Sequence, residues 1–131
     1  MAVRYFIDNE QDLLVGEVTG ELNDREVIES FNKIVAETGG AALYKPHIFV
    51  VDPSAWAHDF GFDGMVRIKD NVERWAKTYP GRNVKTALVL VDENHSAFGK
   101  IWQALTDSNP TVGAQVHLFR TKEDAVAWLK S

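Results

Sequence analysis

The sequence predicts an α/β domain. Its core is a five-stranded, mostly parallel sheet in sequential order, with an antiparallel first strand and four helices largely on one face. Three observations carry this. From residue 22 onward, short apolar runs alternate with segments of helical period, the pattern of strands joined by crossover helices. The run TALVLV at 86–91 has nothing polar in its second half, as suits a parallel strand buried on both faces. The first two apolar runs are separated only by Asp8-Asn9-Glu10-Gln11-Asp12, a polar turn that reads as a hairpin.

Taken in order, Val3 to Ile7 and Leu13 to Thr19 read as the hairpin strands. Asn23 then caps a helix. Glu26 stands three residues on as in a capping box, and Leu22 and Val27 are placed for a hydrophobic staple. Val27, Ile28, Phe31, Ile34 and Val35 share one face of that helix, and Gly39-Gly40 stops it. Ile48 to Val51 is the next strand, third of five and so central, and it breaks at Asp52-Pro53. A helix follows from about Asp63 to Thr78 with Met65, Ile68, Val72, Trp75, Ala76 and Tyr79 on its apolar face; Pro80-Gly81 ends it. After the strand 86–91, Asp92-Glu93-Asn94 starts a helix facing inward with Ala97, Phe98, Ile101, Trp102 and Leu105. Ala114 to Phe119 alternates as a half-exposed strand near a sheet edge does. Thr121 to Asp124 caps a last helix with Ala125, Trp128 and Leu129 facing in.

At 131 residues this is one domain, residues 1–131, large enough to bury a core without staples. The chain contains no cysteine, so disulfides, thiolate nucleophiles and Cys-ligated zinc are excluded. The formal charge of −5 argues against a nucleic-acid partner. No apolar run approaches the ~20 residues of a membrane span, and the N-terminus has no signal-peptide pattern, so the expected location is cytoplasmic.

After TALVLV the chain reads Ser96-Ala97-Phe98-Gly99-Lys100-Ile101-Trp102. Its end reads Val116-His117-Leu118-Phe119-Arg120-Thr121, then Glu123-Asp124-Ala125-Val126-Ala127-Trp128-Leu129. In these residues and in its element order the chain resembles the STAS superfamily, the fold of anti-sigma-factor antagonists, and within it the uncharacterised SpoIIAA-like branch. That resemblance implies a non-enzymatic regulatory or binding module. Some members of the branch look like small lipid-binding domains, which implies apolar ligands or membrane surfaces. Classical members carry a phosphorylated serine after the central strand; here that place reads His58-Asp59-Phe60-Gly61, with no serine or threonine, so the phospho-switch is not carried over.

Parallel sheets bind ligands beyond the carboxyl ends of their strands. At that edge lie Asp52, Ser54, Trp56, His58 and Asp59 from one loop, Asp92, Glu93, Asn94 and His95 from the next, and Arg120 and Thr121 from the last. His58, Asp59, Asp92 and His95 are acceptable metal ligands or an acid–base set, but no metal-ligand spacing, G-x-S-x-G, P-loop or G-x-G-x-x-G accompanies them. Turn forming and helix capping explain them as well, so an enzyme is the lesser expectation and no cofactor is implied. Arg67, Lys69, Arg74, Lys77, Lys100 and Arg120 read as a solvated face of mixed charge rather than a membrane patch.

Three aromatics within seven residues, Trp56, Phe60 and Phe62, lie in or beside a loop, where they cap the core, close an apolar pocket or dock a partner. The first expectation is an apolar or amphipathic small molecule, lipid-like, held between the loop 53–62 and the helix 95–106. Its site residues are Trp56, His58, Asp59, Phe60, Phe62, Phe98 and Trp102. The second is a protein partner or a homodimer using the same loop.

Overall fold

A computed structural model of the chain describes residues 2–56, 61–107 and 109–131. Its elements are β1 (Val3–Asp8), β2 (Leu13–Val18), α1 (Asp24–Glu37), a short 3-10 turn (Ala41–Tyr44), β3 (His47–Val51), α2 (Phe62–Thr78), β4 (Val84–Leu90), α3 (Glu93–Thr106), β5 (Ala114–Phe119) and α4 (Lys122–Leu129). The sheet has the order β1-β2-β3-β4-β5. β1 pairs antiparallel with β2, and β2 to β5 are parallel neighbours. The expected architecture is thus the observed one, and β3 is the central strand.

Strand pleating sends alternate side chains to opposite faces of the sheet. One face presents Val3, Val18, Val51, Leu88, Leu90 and Val116 to α1, α2 and α3. The other presents Leu13, Val15, Ile48, Ala87 and Val89, and only α4 covers it, through Ala125 and Leu129. Three of the four helices therefore share a face and the last lies opposite. The reason is topological: α1, α2 and α3 are crossovers between adjacent parallel strands, and a constant crossover hand puts them all on one side. α4 follows the last strand, connects to nothing further, and is free to cover the other face.

The helix ends are built as their sequences direct. Asn23 Oδ1 accepts from the Glu26 backbone N–H at 2.9 Å, and Glu26 returns the contact by accepting from Asn23 Nδ2 at 2.7 Å. Leu22 and Val27 meet in the core as the staple requires. Asp92 and Thr121 cap α3 and α4 by accepting from Asn94 N–H and Asp124 N–H. Gly39 and Gly40 both take positive φ after α1.

α3 is turned relative to its expected face. Its buried residues are His95, Gly99 and Thr106, with Phe98 and Trp102 packed alongside, while Ala97 is exposed and Ile101 is 36 % exposed. Gly99 sets this rotation. A Cβ there would run into the Leu90 side chain and stand 3.1 Å from Leu118 Cδ2, so the helix can lie this close to β4 and β5 only on a glycine. The Thr106 hydroxyl, buried on α3, is met locally, with Oγ1 donating to the Trp102 carbonyl at 2.7 Å.

Candidate functional site

Between the inner face of the sheet and the helices α1 to α3 lies a cavity of about 140 Å³. It is lined from both ends of β3, His47 and Val51, as well as from α1, α2, α3 and β4. Four residue steps at the strand rise make it ~13 Å long. Most of the wall is hydrocarbon, with Phe31 from α1, Met65 and Ile68 from α2, and Phe98 and Trp102 from α3. For scale, an engineered apolar cavity of roughly 150 Å³ takes up benzene.

The wall owes its shape to aromatic packing on a glycine. Tyr5 packs edge-on to Phe31 at 5.5 Å between ring centroids and lies 6.1 Å from Phe49. A Cβ on Gly16 would stand 2.7 Å from both Tyr5 Cε1 and Phe49 Cδ2, so the absence of a side chain at Gly16 lets the two rings flank β2. Burial raises the Tyr5 hydroxyl well above the ordinary phenol range, so it stays a neutral donor.

Polar groups interrupt this wall at a few points. At the amino end of β3, His47 Nε2 is buried without a hydrogen-bond partner. Burial, and then the nearby Arg82 guanidinium, lower the His47 pKa from 6.5 to about 4, against an opposing backbone contact with Ala42. The ring is therefore neutral at pH 7. Arg82 itself is buried, and it ties two segments together by donating to the Leu43 carbonyl at 3.3 Å and the Val112 carbonyl at 2.6 Å. Burial lowers its pKa, and no carboxylate pairs with it among the described residues. Thr86, the cross-strand neighbour of His47, is buried with its hydroxyl unbonded among the described residues. Asn71 is bonded at both its amide nitrogen and its oxygen, donating to Asn32 Oδ1 at 2.8 Å and accepting from Arg74 at 3.1 Å.

At the carboxyl end, His95 lies inward at the start of α3. Its Nε2 meets the Ala55 carbonyl at 2.8 Å. A carbonyl only accepts, so Nε2 carries the hydrogen, and in the neutral ring Nδ1 is a buried lone pair with no partner. This contact pins the segment after β3 to α3. The same segment is stitched to the β2–α1 connection, because Trp56 N–H donates to the Gly20 carbonyl at 3.2 Å and the Leu22 N–H to the Trp56 carbonyl at 2.7 Å.

The expected site residues divide. Phe98 and Trp102 line the cavity. Trp56 and Phe62 do not; they are 55 % and 57 % exposed. His58, Asp59 and Phe60 lie outside the described residues. His95 and Asp92 share the turn at the start of α3 but are not bonded to one another, for Asp92 caps the helix while His95 faces Ala55. Ser54 donates to Asp52 Oδ1 at 2.6 Å and holds that carboxyl below the usual range. Among the described residues no group of three or more His, Asp or Glu side chains is arranged to hold a metal ion, and no helix is long and apolar enough to cross a membrane. Two of the four basic residues of α2 are ion-paired, Arg67 with Asp24 at 2.6 Å and Lys69 with Asp70 and Glu73.

Sequence reasoning gives no role to Tyr5, Arg82 and Thr86, and takes His47 for a surface or partly buried histidine. The signal was parity. His47 shares its strand face with Phe49 and Val51, and Thr86 shares one with Leu88 and Leu90, so both point under the helices rather than to solvent.

Comparison of the chain with known family models, with characterised proteins and with solved structures returned no match.

Proposed function

We propose that the protein is a non-catalytic binding module that holds an apolar or amphipathic small molecule between its sheet and α1 to α3. The observation that carries this is the cavity: an elongated space of about 140 Å³ lined from three helices and the sheet. Well-packed interiors leave few voids larger than a water molecule, so a continuous apolar one along a whole strand calls for an occupant. The residues that suggested a STAS-like module support the same reading, since that resemblance implies binding or regulation without chemistry. The ligand lies deeper than the loop 53–62, against Phe98 and Trp102, with His95 and Ala55 closing the carboxyl end. Titration of the protein with octanol, followed by tryptophan emission and melting temperature, tests this. Binding quenches or shifts the emission and raises the midpoint; neither change at any concentration below self-association of the alcohol contradicts the reading.

A second reading rests on a separate observation. Trp56, Phe62 and Val91 are exposed by 55 %, 57 % and 42 %, and all three emerge where β3 and β4 end or α2 begins. Large apolar side chains gathered on one edge serve a protein partner or a second copy of the chain. Sedimentation of the wild type beside Trp56→Ala tests that role: association lost in the variant supports it, and a monomer at all concentrations removes the homodimer form of it.

A further inference from the structure

The polar groups on the cavity wall are unevenly placed, and their chemistry specifies one end of the ligand. Arg82, Val84 and Thr86 alternate along one segment and all line the cavity, as does His47 across from Thr86. His47 packs edge-on to Phe31 at 6.2 Å between ring centroids. In that small region sit, among the described residues, a buried cation with no carboxylate partner, a buried ring nitrogen with no partner, and the Thr86 hydroxyl, which makes no hydrogen bond. Arg82 uses two of its five N–H groups on carbonyls, leaving donors to spare. A buried cation without an anion is costly, and so is a buried lone pair without a donor. One group satisfies all of these together, a carboxyl. One of its oxygens accepts from Arg82. Its other oxygen shares with His47 Nε2 a proton taken up from solvent on binding, and the Thr86 hydroxyl donates to a remaining lone pair.

We propose that the cavity takes a linear carboxylic acid of medium chain length, its carboxyl group beside His47, Arg82 and Thr86 and its hydrocarbon running toward Phe98 and His95. This rests on the apolar-ligand reading above and adds the head group. An alcohol meets only the His47 acceptor and the Thr86 hydroxyl. An alkylammonium ion is repelled by Arg82.

Calorimetric titration of the intact protein with octanoate, octanol and octylamine tests the proposal. The expected order is octanoate at least about tenfold tighter than octanol, since its contacts are charge-assisted, and octylamine without measurable binding. Thr86→Val removes a hydroxyl that has no partner among the described residues, so the variant keeps the wild-type urea midpoint or exceeds it, and it weakens octanoate several-fold. Arg82→Gln abolishes the preference for the acid; should that variant fail to fold, the hydroxyl deletion carries the test. Equal affinity for octanoate and octanol overturns the head-group assignment while leaving apolar binding intact. So does an octanoate affinity unchanged in Thr86→Val. Absence of binding by all three probes overturns the assignment together with the reading it rests on.

Discussion

Replacing His47 by leucine removes an ionisable group whose cost to the fold can be worked out from its surroundings. Burial and the Arg82 charge hold the folded-state pKa at about 4, whereas the unfolded chain presents an ordinary imidazole at 6.5. Between those values the unfolded state binds the proton and the folded state does not. The sign follows: His47 favours the fold above pH ~6.5, and that contribution is lost as pH falls toward ~4. The full difference of about 2.5 pKa units corresponds to about 3 kcal/mol, of which about 2 kcal/mol is lost between pH 7.5 and pH 5. Urea unfolding of wild type and His47→Leu at both pH values is the assay. The carboxylates and other histidines titrate alike in the two proteins, so the difference isolates His47. The wild type should lose about 2 kcal/mol more than the variant on acidification. At pH 7.5 the variant should be close to the wild type, because a buried unpartnered nitrogen has been exchanged for hydrocarbon. Parallel pH dependences in the two proteins would refute the reasoning, since they would mean that His47 is solvated in the fold.

Other outcomes follow from the packing. Gly99→Ala drives a methyl group into Leu90, and should destabilise by about 1–3 kcal/mol in urea unfolding, more than any gain from helix propensity. Asn23→Ala removes both halves of the α1 capping arrangement and should cost about 1 kcal/mol by the same measurement. Trp56→Ala and Phe62→Ala, at exposed positions, should each shift stability by less than about 0.5 kcal/mol; a larger loss in chemical denaturation would show that these side chains are packed.

The fold was legible because its signals are periodic. Strand alternation, the cap at Asn23 and the stop at Gly39-Gly40 are local and survive into the structure unchanged. The inner face of α3 was legible only in part. Hydropathy selects Ala97 and Ile101, yet the helix buries His95, Gly99 and Thr106 instead. Close approach at Gly99 outweighs the apolar count, and Thr106 and His95 find carbonyl acceptors nearby. The expectation of helices largely on one face does not single out α4, which covers the second face through Ala125 and Leu129, because no crossover constrains a terminal helix. The site was read from the loop because aromatics in a loop are conspicuous. The polar groups of the cavity are inconspicuous in sequence, one histidine opening a strand, one threonine within an apolar run and one arginine before it. What makes them notable is the absence of partners, which only three-dimensional placement reveals.

The central claim is that the cavity, not the loop edge, receives the ligand. The protein has four tryptophans, so 5-fluorotryptophan labelling gives four fluorine resonances, each assignable through a single Trp→Phe variant. Trp102 lines the cavity, whereas Trp56 is on the exposed edge. On titration with octanoate the Trp102 resonance should move and saturate while that of Trp56 stays in place. Movement of Trp56 with Trp102 unchanged, or no movement at either, would contradict it.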